Sequence, residues 1–437
     1  MVIVGLLLLG SLTCFTFAAL RKFNIRDKKL YAILLGVLVL HICVVLFIHY
    51  TGFDPFPGGA DYNGYHRDAV EIATRFKSGN FSLENIPLLH YFPVIIGVVY
   101  TITAPAMVVG QLFLIWIVLL SVILLYLLVL EIRGDGKGFW LVGLAAIFYP
   151  SLLYFSSILL KDSLVVMLSL LGLLLSLKMA KNATPPLFVA FFVTVTALIH
   201  FRFYIGFALL FSFIVSWFLI SHFEWDRRVK YGLIIIFLLG FSPQIAGLGY
   251  YGNMQLQSFL TETAITNYRE VAYAPQPIYE PVGPKENNGP KITEPNPFDR
   301  EDASGTGSSF TVDVNFDNKY KFIANYCLSF IYTLLGPFFW QLRYKKHLLF
   351  LLETIPWYFI CAVIFYQAYA CYKAIGPRQW LAKYKYTLPI LLFCIFSVGA
   401  ISLFISNFGI IARIRMPVLL SLITLLSLPY VWNRRDL

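Results

Sequence analysis

The sequence predicts an all-α polytopic membrane protein, and three observations support that fold class. Hydrophobic residues make up 59% of the 437 residues and charged residues only 13%, which is low for a soluble domain. Apolar runs recur along the chain, and many are long enough to cross about 30 Å of hydrocarbon as a helix. The net charge of +11 is spread between these runs, which predicts contact with anionic lipid and no nucleic-acid partner.

The apolar runs predict about eleven transmembrane helices. They lie at about residues 3–20, 30–50, 106–131, 139–158, 160–179, 186–200, 203–221, 230–250, 348–372, 386–405 and 413–431. Two further apolar stretches, 91–104 and 322–340, raise the number to thirteen if both span. Counting both would place the basic segment 224–230 outside, so we favour re-entrant or interfacial helices for these two stretches.

The whole chain, 1–437, is predicted to be one transmembrane domain with two long outer loops that carry juxtamembrane helices. Lys and Arg collect in the short connections, which makes those connections cytoplasmic and places both long segments, 51–105 and 251–347, outside. An amphipathic helix is predicted over 253–272 in the second loop. Frequent Pro, Gly and Ser between residues 272 and 310 predict a mobile lid.

The first outer loop carries the leading candidate residues. In a helix predicted over 62–76, Asp61, Tyr65 and Asp68 stand at i, i+4 and i+7 and therefore share one face. Asp61 could take a proton from an acceptor that reaches the membrane surface, or it could simply cap the helix. His66 offers a nitrogen nearby, so Asp61 and His66 are candidate ligands for Mg²⁺ or Mn²⁺, although an ordinary exposed loop also explains His66.

Three charged residues interrupt apolar runs near the predicted ends of spans. Lys161 and Asp162 stand at an outer membrane boundary, where ionisable residues are functional candidates by default. Mutual neutralisation and a helix cap by Asp162 explain this pair as well. Arg202 separates two apolar runs; it could bind a phosphate through its planar fork of donors, or it could snorkel from a helix end.

Further arginines stand at later outer positions. Arg343 belongs to a basic cluster directly after the aromatic segment 336–340, and that position suits the phosphate of a lipid-linked ligand or an ordinary basic flank. Arg413 and Arg415 fall in a short outer turn between apolar residues. Two arginines there break the positive-inside tendency, which predicts a local anionic ligand.

Several short motifs, taken in chain order, resemble the GT-C superfamily of integral-membrane glycosyltransferases. The motifs are Gly58-Gly59-Ala60-Asp61-Tyr62-Asn63-Gly64-Tyr65-His66, Tyr91-Phe92-Pro93, Tyr149-Pro150-Ser151, Lys161-Asp162 and Arg413-Ile414-Arg415-Met416-Pro417. The chain departs from one branch of that family because its first loop has no Asp-Asp or Asp-Glu pair. The missing pair weakens the case for a metal.

The resemblance implies a role for each matching residue. In that family an aspartate of the first outer loop is the catalytic base or metal-site acid, which implies this role for Asp61. A second outer acid, here Asp162, helps to position the acceptor or ion. Basic residues near the outer ends of later spans bind the donor phosphate, which implies Arg202, Arg413 and Arg415. The other predicted substrate contacts are Tyr65, His66, Asp68, Lys161 and Arg343.

The resemblance implies an inverting glycosyltransferase that moves a sugar from a polyprenyl-phosphate-linked donor to a glycan, lipid or protein acceptor. The site would face outward from a bacterial inner membrane. A polymerase or ligase of lipid-linked polysaccharides is an alternative, since such proteins also place arginines on outer loops. A transporter or flippase is a third reading, and it predicts charged residues in mid-span and an internal repeat, neither of which is evident in the sequence.

Overall fold

The computed structural model describes residues 1–53, 61–83, 86, 91–238, 257–258, 260–261, 265, 318–341, 348–405 and 407–428. Within these residues the chain is almost entirely helical and has no strand, which confirms the predicted all-α class. The helix predicted over 253–272 lies almost wholly outside the described residues. The predicted lid over 272–310 and the candidate Arg343 also lie outside them.

The helices with described bounds are α1 (Val2–Lys22), α2 (Lys28–Thr51), α3 (Asp61–Lys77), α4 (Phe92–Ile102), α5 (Met107–Arg133), α6 (Phe139–Ile147), α7 (Pro150–Phe155), α8 (Asp162–Lys181), α9 (Pro185–Phe201), α10 (Phe203–Ile220), α11 (Trp225–Leu238), α12 (Lys319–Leu335), α13 (Leu348–Ile375), α14 (Pro377–Tyr384), α15 (Leu388–Phe404), α16 (Phe408–Ile414) and α17 (Met416–Ile423). Short 3₁₀ turns lie at Phe339–Gln341, Lys385–Thr387 and Thr424–Ser427.

Seven helices of the described chain are long and apolar enough to cross a membrane, namely α1, α2, α5, α8, α10, α13 and α15, the last together with the 3₁₀ turn that precedes it (Lys385–Phe404, 20 residues). Together α16 and α17 qualify as an eighth, with a bend of 47° between them. The predicted number of about eleven is therefore not confirmed. The predicted 139–158 span is divided before Pro150 into α6 and α7, α9 has only 17 residues, and α11 is described only to Leu238.

Helices α5 and α8 lie at the centre of the bundle. Most of their side chains are buried, whereas only a minority of the side chains of α1 and α2 are. α5 packs against α1, α2 and α8, and α8 packs in turn against α9 and α10. Gly172 lies where α8 approaches α10, and a Cβ there would require the Leu209 side chain to move. Ser169 and Ser176 in α8 donate to carbonyls of the preceding turn, so these buried hydroxyls are satisfied within the helix.

The helix connections collect at two ends of the bundle. The start of α3, the start of α8, the turn between α9 and α10, and the bend after α16 meet at one end, which we call the α3 end. At the opposite end Lys181 Nζ lies 2.7 Å from Glu131 Oε1, and Arg133 donates to the carbonyl of Ser427. Charged contacts therefore lie at both ends, and long apolar helices separate them.

Helices α3 and α4 pack against each other at the α3 end. α3 contains the predicted helix 62–76 and extends one residue beyond it on each side. Its buried residues Ala69 and Ile72 lie against α4, where Gly97 allows the contact because a Cβ would stand 2.7 Å from Ile72 Cγ2. With 11 residues α4 is shorter than any of the seven spans and too short to cross a membrane, and α3 is not among those spans either. The two helices therefore form a cap on this end of the bundle.

Candidate functional site

Four charged side chains from distant parts of the sequence form one network at the α3 end. Arg202 Nη2 donates to Asp162 Oδ1 at 2.9 Å, and Arg413 Nε donates to Asp162 Oδ2. Arg413 Nη1 also donates to Asp61 Oδ2 at 3.0 Å. We call Asp61, Asp162, Arg202 and Arg413, together with the neighbouring Lys161, the Asp162 cluster. Arg413 thus bridges the carboxylates of Asp61 and Asp162, and the carboxylate of Asp162 binds both Arg202 and Arg413.

Asp162 is the buried centre of this cluster. It is the first residue of α8, and only 3% of its side chain is exposed. Both of its oxygens accept from arginines, so it acts neither through a helix cap nor through an ion pair with Lys161, the two alternatives that the sequence left open. A buried carboxylate is stable when it is paired in this way on both oxygens.

Arg202 is held by the tight turn between α9 and α10. Its backbone (φ −151°, ψ 85°) leaves the helical region, and the next helix starts at Phe203. Gly206 permits this turn because a Cβ would lie 2.7 Å from the backbone nitrogen of Ile199. Arg202 Nη1 donates to the hydroxyl of Tyr204 at 3.2 Å, while its buried Nε has no partner among the described residues. Arg202 therefore faces the cluster and does not snorkel to the surface.

Asp61 is the accessible member of the cluster. Its side chain is 42% exposed, against 13% for Arg413 and 3% for Asp162. The Oδ2 atom is bound by Arg413, and no partner for Oδ1 is found in the described part of the chain. Asp61 is thus a fixed carboxylate with one oxygen open to an incoming group.

Lys161 and Tyr65 border the cluster. Lys161 lies within electrostatic range of Arg202, Asp162 and Asp61, and its Nζ makes no hydrogen bond or ion pair within the described residues. Burial, and after it the charge of Asp61, raise the pKa of Tyr65, so this phenol keeps its proton. The Tyr65 ring packs edge-on against Phe92, with centroids 5.3 Å apart, which fixes it beside Asp61.

Two other candidates from the first loop lie away from the cluster's contacts. His66 Nδ1 and the hydroxyl of Tyr100 are hydrogen-bonded at 3.0 Å, and burial lowers the pKa of His66, so the ring is neutral at pH 7. Asp68 Oδ1 lies 3.5 Å from Nε of the exposed Arg67. Both residues lie on α3, and neither contacts Arg202 or Arg413 within the described residues, so their substrate roles stay predictions.

Arg415 lies in a separate buried cluster that sequence reasoning missed. Its Nη2 and Nε atoms lie 2.7 Å and 3.0 Å from Glu353 Oε1, and the two side chains are 1% and 4% exposed. Tyr149 and Ser151 also donate to this carboxylate. Arg415 further donates to the carbonyl of Gly336, just after α12. Its role is therefore to join α7, α12, α13 and α17, and the donor-phosphate contact that the resemblance implies for Arg415 stays a prediction.

A signal for Glu353 was present in the sequence. Glu353 is an acidic residue within the apolar run 348–372, and such a residue needs a partner. That partner, Arg415, was itself singled out because it stands among apolar residues. The sequence therefore indicated that each of the two residues needs a partner, but not that they pair with each other.

No known family model, curated protein or solved structure matches this chain. The resemblance to the GT-C superfamily accordingly stays a prediction.

The described residues do not offer a good site for a divalent cation. No group of three or more His, Cys, Asp or Glu side chains is found in that part of the chain. Of the two candidate ligands, Asp61 is bound by Arg413 and His66 by Tyr100. Both oxygens of Asp162 are also taken by guanidinium groups, which would repel a cation. The donor set present therefore suits an anion better than Mg²⁺ or Mn²⁺.

Proposed function

We propose that this protein is an inverting membrane glycosyltransferase that uses a polyprenyl-phosphate-linked sugar. The observation that carries the proposal is the half-exposed carboxylate of Asp61, which Arg413 holds within the Asp162 cluster. An accessible base next to a phosphate-binding group is the arrangement that sugar transfer from a lipid phosphate needs. The apolar bundle would keep the lipid part of the donor in the membrane.

The chemistry assigns one step to Asp61. The open Oδ1 atom would accept the proton of an acceptor hydroxyl or amine while the acceptor atom attacks the anomeric carbon. The bond from that carbon to the phosphate oxygen breaks at the same time, and the electron pair leaves with the polyprenyl phosphate. Attack from the side opposite to the leaving group inverts the anomeric centre.

The Asp162 cluster would stabilise the leaving phosphate. Arg202 and Arg413 are balanced by Asp61 and Asp162, and Lys161 adds a third basic group whose pKa is lowered to about 7, first by burial and then by the charge of Arg202. When Lys161 is protonated the cluster has a net positive charge, and a phosphate close to its Nζ would favour that form. A phosphate placed there would find charged donors already oriented by Asp162.

The distribution of basic residues supports an outward-facing site. Helices α1, α5 and α8 end at the opposite end of the bundle with basic residues in their last turns, and Arg228 lies in the first turns of α11. Under the positive-inside tendency that end is cytoplasmic. The α3 end, with Asp61, would then face the outer side, where polyprenyl-linked sugars would meet acceptors.

The test compares the Asp61→Asn variant with the parent protein. The matched control is Asp68→Asn, on the same helix. Membranes containing each variant receive lipid-linked sugars extracted from cells grown on a ¹⁴C-labelled sugar, and label in the acceptor fraction is counted. We expect Asp61→Asn to lose about a hundredfold or more in rate, because the proton acceptor is gone. Asp68→Asn should transfer at the rate of the parent protein, since Asp68 contacts only Arg67 in the described chain.

Two results would contradict the assignment. Full transfer by Asp61→Asn, in protein that melts at the parent temperature, would remove Asp61 from the reaction. Movement of the intact labelled lipid between leaflets with no label in any acceptor would favour a flippase over a transferase.

A further inference from the structure

The bend between α16 and α17 lies between the two charged clusters. Arg413 stands in the last turn of α16, and Arg415 is the residue at which the two helices meet at 47°. Pro417 follows in the first turn of α17 and has no amide proton to give to the carbonyl of Arg413, so the helical hydrogen-bond ladder is interrupted here. An interrupted ladder does not fix the angle between two helices, and side-chain contacts have to fix it instead.

The side chain of Arg415 makes such contacts. Its guanidinium donates to Glu353 in α13 and to the carbonyls of Thr333 and Gly336 at the end of α12. Glu353 in turn accepts from Ser151 in α7. Arg415 and Glu353 are almost completely buried, so water does not compete for these contacts. Glu353 therefore holds the bend against α7, α12 and α13.

Helix α16 depends on contacts at its two ends. It has only seven residues, and so short a helix is hardly stable on its own. At its start, Asn407 Oδ1 accepts from two amides of the first turn. At its other end is the bend, and α16 also packs against α7, the helix that contacts Glu353 through Ser151. The place of Arg413 at the end of α16 consequently depends on Glu353.

Arg413 needs a precise position because it binds two carboxylates from different helices. Its Nη1 lies 3.0 Å from Oδ2 of Asp61, at the start of α3, and its Nε donates to Asp162, at the start of α8. Hydrogen bonds weaken steeply when their angle or length changes. A rotation of α16 about the bend would therefore weaken the link between Asp61 and the rest of the Asp162 cluster.

We infer that Glu353 is a positioning residue, which keeps Arg413 on Asp61 and Asp162 by holding Arg415 at the bend. Its effect on transfer rests on the proposed function, whereas the link between the two clusters can be measured without a substrate. Glu353 and Arg413 share no hydrogen-bond partner among the described residues. A dependence of one on the other is therefore carried by the helices between them.

The first experiment measures this link by thermal melting of the full chain in detergent. Glu353→Asp keeps the negative charge beside Arg415 but withdraws the carboxylate by one methylene. Arg413→Gln removes a guanidinium from the Asp162 cluster. We expect Arg413→Gln to lower the melting temperature about half as much, or less, in the Glu353→Asp protein as in the parent, because Arg413 is already displaced there.

The control for this cycle is Lys181→Gln, which breaks the pair with Glu131 at the opposite end of the bundle. It should lower the melting temperature equally in both backgrounds, since distant sites contribute independently. If Glu353 only stabilised the bundle, the shifts caused by Arg413→Gln would be equal in both backgrounds as well. Equal shifts for Arg413→Gln would overturn the inference.

The second experiment measures transfer in variants that retain Glu353. Ser151→Ala removes one donor to the Glu353 carboxylate. The matched control, Ser156→Ala, removes another buried hydroxyl, which donates to the carbonyl of Leu152 in its own turn. At saturating labelled donor we expect Ser151→Ala to transfer about tenfold more slowly per folded molecule, because Arg413 and Asp61 lose their alignment. Ser156→Ala should transfer at the parent rate, and equal slowing of both variants would count against a positioning role.

Together the two experiments separate this inference from the proposed function. If the melting shifts depend on Glu353 but the parent protein transfers no sugar, the positioning role is supported and the transferase proposal fails. If the parent protein transfers sugar but the shifts are independent of Glu353, the positioning role fails and the transferase proposal remains.

Discussion

Asp162 holds two guanidinium groups with one buried carboxylate. Arg202 and Arg413 approach it from α9–α10 and from α16, which are far apart in the sequence. Without that carboxylate, two positive charges would face each other in a part of the protein that excludes water. Asp162 therefore organises the cluster, whereas Asp61 is the member that can meet a substrate.

Removing the charge of Asp162 should destabilise the protein. For Asp162→Asn we expect a loss of about 3 kcal/mol in the free energy of unfolding, because Arg202 and Arg413 remain buried without their common partner. Thermal melting in detergent measures the effect. The matched control is Asp135→Asn, which breaks the more exposed pair with Arg133 and should change the melting temperature little. Similar melting of both variants would contradict the central role of Asp162.

At the scale of single residues, the sequence indicated which charges matter but not how they pair. Lys161, Asp162, Arg202 and Arg413 were found because charge among apolar residues needs a reason. Arg415 was found by the same argument, yet its partner Glu353 lies 62 positions away, and the sequence alone does not show which acid an arginine meets. The catalytic and binding roles stay predictions.

At the scale of helices, the breaks determine where the charged residues stand. The turn at Arg202 and the 47° bend between α16 and α17 each place an arginine at a helix end. The juxtamembrane helix α3 was predictable because its apolar positions follow helical spacing. The division of the 139–158 run was not, since a proline in an apolar run can start a new helix or merely kink a long one.

The contact between α3 and α4 should be sensitive to added volume. For Gly97→Ala we expect a loss of about 1–3 kcal/mol and slower transfer, because the new methyl group would collide with Ile72 and push α3, with Asp61, away from Arg413. Gly64→Ala is the matched control on α3, where a Cβ meets nothing within 4 Å and alanine favours the helix. Gly97→Ala should therefore lower the melting temperature and the transfer rate. Gly64→Ala should leave both unchanged or raise the melting temperature.

At the scale of the whole molecule, composition predicted the class of fold but left the number of membrane spans open. The fold class followed directly from composition, whereas the number of spans did not, because several apolar runs form helices too short to cross a membrane alone. Length and hydropathy locate apolar segments, but tertiary packing decides whether each becomes one helix, two helices or a surface cap.

The proposed orientation is open to a labelling test. In a chain whose native cysteines are replaced, Ser78→Cys after α3 should react with a membrane-impermeant maleimide in intact cells, because Ser78 is exposed at the α3 end. Gln379→Cys in α14, exposed at the opposite end, should react only after permeabilisation. The reverse pattern would place Asp61 on the cytoplasmic side and exclude an outward-facing site.

Only Ile414 separates the arginine that serves the Asp162 cluster from the arginine that is locked to Glu353. Adding or deleting one residue between them would turn one guanidinium about 100° around the helix axis relative to the other. Arg413 could then not keep its contact with Asp162 while Arg415 keeps its contact with Glu353. The spacing of this three-residue segment is consequently fixed, and epitope tags or grafted loops belong instead in an exposed connection such as 78–80, where a Cβ on Gly79 would meet nothing within 4 Å.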